Sequence, residues 1–184
     1  MSTRLNRCLL CVGRRGTGKT TIALKLANSS GKRIIVVDTD DHPTYADFPI
    51  IPLSLLPTWR GNKGRVIDSN TDEVFRLINL YQSNAFIIAE DAAKYVNGNV
   101  QKAVKAFIID HRKRNFDLLL MFHFLSDVPP YIAKQYDVMI LFKTGDNLHV
   151  TQNKFANWHT IAKKLERILK HKSFNYCETV AIDE

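Results

Sequence analysis

Eight residues near the amino terminus have the spacing of a loop that binds phosphate. Residues 13–20 read GRRGTGKT and fit the pattern G-x-x-x-x-G-K-[ST]. Glycines let such a backbone curl around an anion, and the N–H groups at the start of the following helix attract negative charge. Lys19 is expected to reach the β- and γ-phosphates of a nucleotide, and the Thr20 hydroxyl is expected to bind Mg²⁺. The residues expected to contact the nucleotide are Gly13, Arg14, Arg15, Gly16, Thr17, Gly18, Lys19, Thr20 and Thr21.

Two adjacent acids, Glu90 and Asp91, follow the apolar residues 85–89. A phosphate-binding loop works with a second acidic site, where the first acid holds Mg²⁺ and the next orients or deprotonates an attacking water. By position, Glu90 is the expected metal ligand beside Thr20, and Asp91 is the expected base. The order reverses the commoner aspartate-then-glutamate and shortens the base by one methylene, which leaves a nucleotide-binding module with little turnover as an alternative. The other alternative is that Glu90 and Asp91 are ordinary loop residues without a role in catalysis.

A parallel sheet is needed to bring these residues together, and the chain pattern predicts one. Short apolar runs alternate with helical periodicity, which is typical of a mostly parallel sheet with helices on both faces. Strands are predicted at residues 8–12, 34–37, 85–89, 116–124 and 138–142, with an edge strand at 174–182. Helices are predicted after the phosphate-binding loop, from a cap at Asn70 to Tyr81, at 99–114, from Pro129, and at 155–169. The predicted fold class is α/β, a P-loop NTPase three-layer sandwich that spans residues 1–184 as a single domain.

The apolar runs predict no membrane-spanning segment, and the length suggests one domain. The 184 residues are 45% hydrophobic, which is enough for a substantial core. The longest apolar run, residues 118–124, is too short to span a bilayer, and residues 1–7 lack a signal-peptide core. We therefore expect a protein without a membrane anchor, located in the cytoplasm of a cell or host, or in a virion. Cys8 and Cys11 fall in the first predicted strand and are expected to be core residues rather than a zinc or redox pair.

The charge balance favours a polyanionic partner. The formal net charge is +8 and the pI is near 9.5, for which a generally basic surface is the alternative explanation. Residues 59–65 read WRGNKGR and are predicted to form an exposed basic loop within the irregular residues 44–69. Arg60, Lys63 and Arg65 would contact nucleic-acid phosphates there, with an ordinary surface loop as the alternative. The acids at residues 38–41 are expected to be turn and cap residues rather than a metal site.

The segment from residue 111 to residue 123 resembles part of the FtsK/HerA-type motor ATPases. In that group a helix ends in an arginine and the next strand ends in a polar sensor, commonly glutamine. Together with the phosphate-binding loop, the acid pair and residues 136–142, the resemblance covers most of residues 8–143. It implies that Arg112 is an arginine finger and His123 the polar sensor, where histidine departs from glutamine. It also implies a sheet ordered 5-1-4-3-2, with the five main strands numbered along the chain, and a ring that usually has six subunits.

The resemblance implies a particular activity. The group includes DNA translocases, conjugative ATPases, viral genome-packaging ATPases and the zonula-occludens-toxin-like phage assembly proteins. The function it implies here is an ATP-hydrolysing, DNA-translocating motor for viral genome packaging, with ATP and Mg²⁺ bound between subunits. The implied partners are double-stranded DNA, further copies of the chain in a ring, and a capsid or portal-vertex protein. The alternatives are a phage assembly or secretion ATPase that acts on protein, and a P-loop nucleotide kinase.

Overall fold

A seven-stranded sheet forms the centre of the protein, which a computed structural model describes over residues 6–96, 102–146 and 151–182. The strands lie side by side in the order β3-β2-β4-β5-β1-β6-β7. Within the described ranges every strand pairing is parallel except that of β6 with β7. β1 and β4 are apolar and buried along their whole length, which is typical of strands in a parallel sheet that is covered on both faces. The strands are β1 (Cys8–Val12), β2 (Arg33–Val37), β3 (Lys63–Val66), β4 (Ala85–Ala89), β5 (Asp117–Phe122), β6 (Val138–Leu141) and β7 (Glu178–Ala181).

Helices cover both faces of this sheet. On one face α1 packs Ala23 and Ala27 against alternate strand residues, and on the other face α2, α4 and α6 contribute Phe75, Phe107 and Leu165 to a larger core. The arrangement is a three-layer α/β sandwich, which confirms the predicted fold class. The helices are α1 (Lys19–Ser29), α2 (Thr71–Tyr81), α3 (Ala93–Val96), α4 (Lys102–Asp110), α5 (Pro130–Ala133) and α6 (Trp158–Lys170). Short 3-10 turns lie at Pro43–Tyr45, His111–Arg114 and Leu125–Asp127.

The observed strand order extends the predicted one. The five strands predicted from apolar runs are β1, β2, β4, β5 and β6, and these five lie in the expected order 5-1-4-3-2. The sheet differs from the prediction by two outer strands, β3 beside β2 and β7 beside β6. An edge strand near β7 was predicted from residues 174–182, although the observed strand is shorter. β3 was not predicted.

β3 corrects the prediction of an exposed basic loop. Residues 63–66 pair with β2 along its length, and Gly64 lies so close to Ile51 that a Cβ would come within 2.5 Å of the isoleucine side chain. The Arg65 side chain is buried and ion-paired to Asp41. Arg65 is therefore unavailable to nucleic acid, because the pairing of β3 with β2 places its side chain against the acidic residues that follow β2. A four-residue strand with two charges and a glycine has too little apolar character to be recognised from sequence.

The other predicted helices and strands are present with shifted ends. The Asn70 side chain accepts a hydrogen bond of 3.3 Å from the Glu73 N–H and so caps α2 as expected. The predicted helix at 99–114 corresponds to α4 and the 3-10 turn after it, and its residues 99–101 lie outside the described ranges. Cys8 and Cys11 are free and buried in the core. Among the described helices, none is long and apolar enough to cross a membrane.

Candidate active site

Three parallel strands deliver the expected site residues to one edge of the sheet. β1 leads into the phosphate-binding loop, β4 leads into the acid pair, and β5 leads into His123. Val12 pairs with Phe122, and Ala89 pairs with Leu120, so the carboxyl ends of these strands lie side by side. The residues line a cleft of about 460 Å³. The structure therefore brings the phosphate-binding loop, Glu90, Asp91 and His123 together in one cleft.

The phosphate-binding loop takes the curled shape that its glycines permit. Gly16 and Gly18 have φ angles of 75° and 96°, in the left-handed region that disfavours side chains. Gly18 directly precedes α1, so Lys19 is the first residue of the helix. The Lys19 ammonium donates hydrogen bonds to the carbonyl oxygens of Gly13 (2.6 Å) and Arg14 (3.0 Å). The lysine therefore lies over the loop itself, and burial lowers its pKa.

The carboxylate of Glu90 lies beside the Thr20 hydroxyl, and these two groups are expected to bind the same metal ion. Its Oε1 accepts a hydrogen bond of 3.3 Å from the Thr20 hydroxyl, and its Oε2 accepts one of 3.0 Å from the Tyr45 hydroxyl. Burial raises the pKa of Glu90, while the hydrogen bond from Tyr45 acts in the opposite direction. A carboxylate and a hydroxyl at one point in an open cleft are the oxygen donors that Mg²⁺ takes alongside water and phosphate. The donor set of Glu90 and Thr20 thus fits Mg²⁺.

Asp91 is held in an uncommon backbone conformation next to Glu90. Its φ is 47°, in the left-handed region, which aspartate tolerates better than most residues. Its Oδ2 is 3.2 Å from the Lys94 ammonium, and its Oδ1 is 3.5 Å from Nε2 of His123. Lys94 in turn contacts Asp40 after β2. Asp91 is therefore positioned by a lysine on one side and faces the histidine on the other.

His123 lies between the loop lysine and the second acid. Its Nδ1 is 3.4 Å from the Lys19 ammonium. An ammonium can only donate, so Nδ1 is the acceptor and the proton of the neutral ring is on Nε2, facing Asp91. Burial, followed by the charge of Lys19, lowers the pKa of His123. A neutral imidazole here can accept a hydrogen bond on the side of Lys19 and the phosphates, and can donate one on the side of Asp91.

Arg112 does not join this cleft. It lies in the 3-10 turn before β5, at the opposite, amino-terminal edge of the sheet, roughly 20 Å away along a six-residue strand. Its NH2 donates to both carboxylate oxygens of Asp137, at 2.7 and 2.9 Å. Asp137 Oδ2 also accepts a hydrogen bond from the Cys8 N–H at 2.7 Å. Arg112 therefore cannot act on the phosphate-binding loop of its own chain.

Two residues that sequence reasoning missed support the acids. Tyr45 is fully buried in the 3-10 turn after β2 and reaches Glu90 across the chain, which no local pattern signals. Lys94 lies three residues after Asp91, a spacing that puts both on the same side of a helical turn. That spacing was a signal available in the sequence. The acidic residues after β2 act as expected, because Asp38 accepts hydrogen bonds from the backbone N–H groups of Asp40 and His42.

Removing the Tyr45 hydroxyl should weaken Mg²⁺ binding at the candidate site of Glu90 and Thr20 selectively. In Tyr45→Phe the ring still fills its buried position, but Glu90 loses a hydrogen bond that favours its ionised form. We expect about tenfold more Mg²⁺ for half-maximal saturation of the site, since a hydrogen bond to a charged group contributes about 1.5 kcal/mol or more. A calorimetric titration with Mg²⁺ measures this. Tyr81→Phe, on an exposed tyrosine, is the matched control; equal Mg²⁺ requirements in the two variants would contradict the role of Tyr45.

The fold and the arrangement of this site define a class, the P-loop NTPase fold. No protein-family model and no curated protein sequence matches the chain, so the comparison rests on solved structures. The chain is similar to the genome packaging NTPase B204 of Sulfolobus turreted icosahedral virus 2. For its complex with sulfate, the TM-score is 0.78 and the identity 17%, covering 98% of this chain and 94% of that one. For its complex with ATP-gammaS, the TM-score is 0.77 and the identity 18%, covering 97% and 93%.

A second group is also represented. The N-terminal domain of zonular occludens toxin from Neisseria meningitidis matches with a TM-score of 0.50 and 10% identity, covering 77% of this chain and 79% of that one. Two of the four groups named with the sequence resemblance, viral genome-packaging ATPases and zonula-occludens-toxin-like proteins, are therefore found among the structural neighbours. At these identities the likeness establishes the fold.

Proposed function

We propose that the protein is an ATP-hydrolysing motor that moves double-stranded DNA during viral genome packaging. The observation that carries the proposal is the meeting of Lys19, Thr20, Glu90 and Asp91 in one cleft. These four residues supply a cation for the phosphates, two oxygen donors for a metal and a second carboxylate for water. The similarity to a genome packaging NTPase over nearly its whole length supports the choice of packaging within this class.

The loop, Glu90, Asp91 and His123 have distinct parts in hydrolysis. The loop N–H groups and Lys19 bind the β- and γ-phosphates. Thr20 and Glu90 would hold a Mg²⁺ ion, which would supply neutralisation of the phosphate charge. Asp91, fixed by Lys94, orients the attacking water, and His123 senses the γ-phosphate through a neutral ring. The Lys94–Asp91 contact leaves Oδ1 of Asp91 on the side of His123, where a water can be held.

The proposed active unit is a ring of six subunits, as in the group that the sequence resembles, with ATP bound between neighbouring chains. Arg112 supports this proposal by its position, since it lies at the edge of the sheet opposite to its own cleft. In a head-to-tail ring, the amino edge of one subunit can face the nucleotide edge of the next. Arg112 of the neighbouring chain would then stabilise charge on the transferring phosphoryl group. A capsid or portal-vertex protein is the proposed docking partner of the ring.

Phosphate release with and without duplex DNA tests the motor. We expect ATP to yield ADP and inorganic phosphate, faster with duplex DNA of any sequence. The stimulation should fall as salt rises, because the net charge of +8 favours binding through counterion release. Between 50 and 200 mM salt, duplex affinity should fall roughly tenfold or more.

The same measurement separates the rivals. Transfer of phosphate to a nucleoside monophosphate, without release of inorganic phosphate, would indicate a kinase. Hydrolysis with no DNA binding at low salt would indicate a motor that acts on protein.

Arg60 and Lys63 are exposed and belong to the basic segment that the sequence analysis assigned to nucleic acid. The double variant Arg60→Ala/Lys63→Ala should therefore lower the slope of log affinity against log salt concentration by about 2. Lys25→Ala, on the exposed side of α1, is the matched control for a lost surface charge.

A further inference from the structure

An aromatic side chain lies against the outer side of the phosphate-binding loop. A Cβ placed on Gly16 would lie 3.8 Å from Cε1 of Phe174, and a Cβ on Gly18 would lie 3.9 Å from Cβ of Asn175. The segment that joins α6 to β7 therefore covers the loop from residues far away in the sequence. Phe174 is nevertheless 48% exposed, although it is a large apolar residue. The side chain thus keeps accessible apolar surface next to the phosphate-binding loop.

The rest of this segment is fixed in place. The rings of His171 and Tyr176 stack with centroids 3.9 Å apart and planes 16° apart. The Lys143 ammonium, from the chain after β6, donates to the His171 carbonyl at 2.6 Å. The Ser173 N–H donates to Nδ1 of His171 at 3.1 Å. Phe174 is therefore presented by an anchored turn, which lowers the entropy cost of ordering it around a ligand.

The sheet order indicates which end of a nucleotide would meet Phe174. Glu90, Asp91 and His123 follow β4 and β5, on one side of β1. They mark the end of the cleft where the terminal phosphate and the metal belong. Phe174 precedes β7, on the other side of β1 beyond β6. A nucleotide whose phosphates occupy the loop, with the terminal phosphate near Glu90, Asp91 and His123, therefore has its nucleoside on the side of Phe174.

We propose that Phe174 is the stacking platform for the base of the bound nucleotide, an inference that rests on the proposed ATP-binding function. Every nucleobase has a π-face, so stacking on phenylalanine binds bases without strict selection, and larger purines stack over more area. Asn175 adds an amide, next to Gly18, that can donate to and accept from the edge of a base. Phe174 is thus a substrate-affinity residue that acts on the nucleoside, whereas Lys19 acts on the phosphates.

Calorimetric titrations with ATP and with inorganic tripolyphosphate test this assignment, because tripolyphosphate has no base. In Phe174→Ala the dissociation constant for ATP should rise about 5- to 100-fold, while that for tripolyphosphate stays unchanged. Phe174→Trp, which keeps an aromatic ring at this position, should retain the wild-type affinity for ATP. Leu169→Ala is the matched control, since Leu169 is a large apolar side chain with the same 48% exposure, on α6. Wild type should also bind ATP and GTP more tightly than UTP, and Phe174→Ala should reduce that difference.

The outcomes separate this inference from the function on which it rests. If the wild-type protein binds neither ATP nor tripolyphosphate, the proposed nucleotide function itself is wrong. If it binds both and Phe174→Ala leaves both affinities unchanged, phosphate binding stands and the stacking platform is refuted. An equal loss of affinity for both ligands would also overturn the inference, because Phe174 would then act by supporting the loop.

Discussion

Replacing Lys19 by alanine should abolish ATP turnover while the protein remains folded. The lysine is 93% buried over the loop, and its ammonium group lies between the carbonyl oxygens of the loop and His123. No other cation is held in the same place by the described residues. Loss of a single preorganised group that stabilises transition-state charge reduces turnover about 10²- to 10³-fold, and loss of a full positive charge should do at least this.

The fold should tolerate this change, for physical reasons that can be checked. Lys19 is the first residue of α1, where alanine is a good helix former, and its hydrogen bonds reach only the loop and His123. The measurement is phosphate release at saturating ATP, with thermal unfolding to verify the fold. Lys25→Ala removes a charge from the exposed side of the same helix and should hydrolyse ATP normally. A Lys19→Ala protein that turns over at the wild-type rate would refute the assignment of the phosphate-binding loop.

The features predicted from sequence were those set by neighbouring residues. The loop needs eight contiguous residues, and each central strand needs a short apolar run, so both are visible without knowledge of the fold. The acid pair lies near the loop because the carboxyl ends of parallel strands share one edge. The Asn70 cap also depends on a spacing of three residues.

The features that were missed depend on contacts between distant residues. Tyr45 meets Glu90 across 45 positions, and Phe174 meets the loop from about 160 positions away. β3 becomes a strand because β2 offers it a free edge, although its own four residues are weakly apolar. Arg65 was assigned to nucleic acid by its charge, whereas the fold pairs it with Asp41. Charge and motif spacing thus locate the centre of the site, and tertiary pairing decides which surrounding residues support it.

Two inactive variants should restore hydrolysis when they are mixed. Asp91→Ala lacks the group that orients water, and Arg112→Ala lacks the proposed arginine finger, which in other phosphoryl-transfer systems contributes about 10³- to 10⁵-fold to the rate. Arg112 lies at the opposite edge of the sheet from its own cleft, so it can act only on a neighbouring chain. Each variant alone should therefore bind ATP and hydrolyse it very slowly.

The Asp137 contact requires a control for stability. Arg112→Ala removes the bidentate partner of Asp137, and a less stable protein would also lose activity. Arg112→Lys keeps a positive charge near Asp137 but loses the planar fork that suits a phosphoryl group. If Arg112 is a finger, the lysine variant should recover stability and remain inactive. If Arg112 only supports the fold, the lysine variant should recover both. Lys113→Ala, at the adjacent exposed position, should behave as wild type.

Mixing then tests whether the finger acts between chains. At an interface where the cleft belongs to Arg112→Ala and the neighbour is Asp91→Ala, an intact Asp91 meets an intact Arg112. In an equal mixture of freely exchanging subunits, about a quarter of head-to-tail interfaces have this composition. Phosphate release should accordingly reappear and reach its maximum near equal proportions. If folded, exchanging subunits stay inactive at every ratio, then Arg112 does not complete a neighbouring site. The same mixture made with Arg114→Ala would next test the exposed arginine two positions further along the turn, because it lies at the same edge of the sheet.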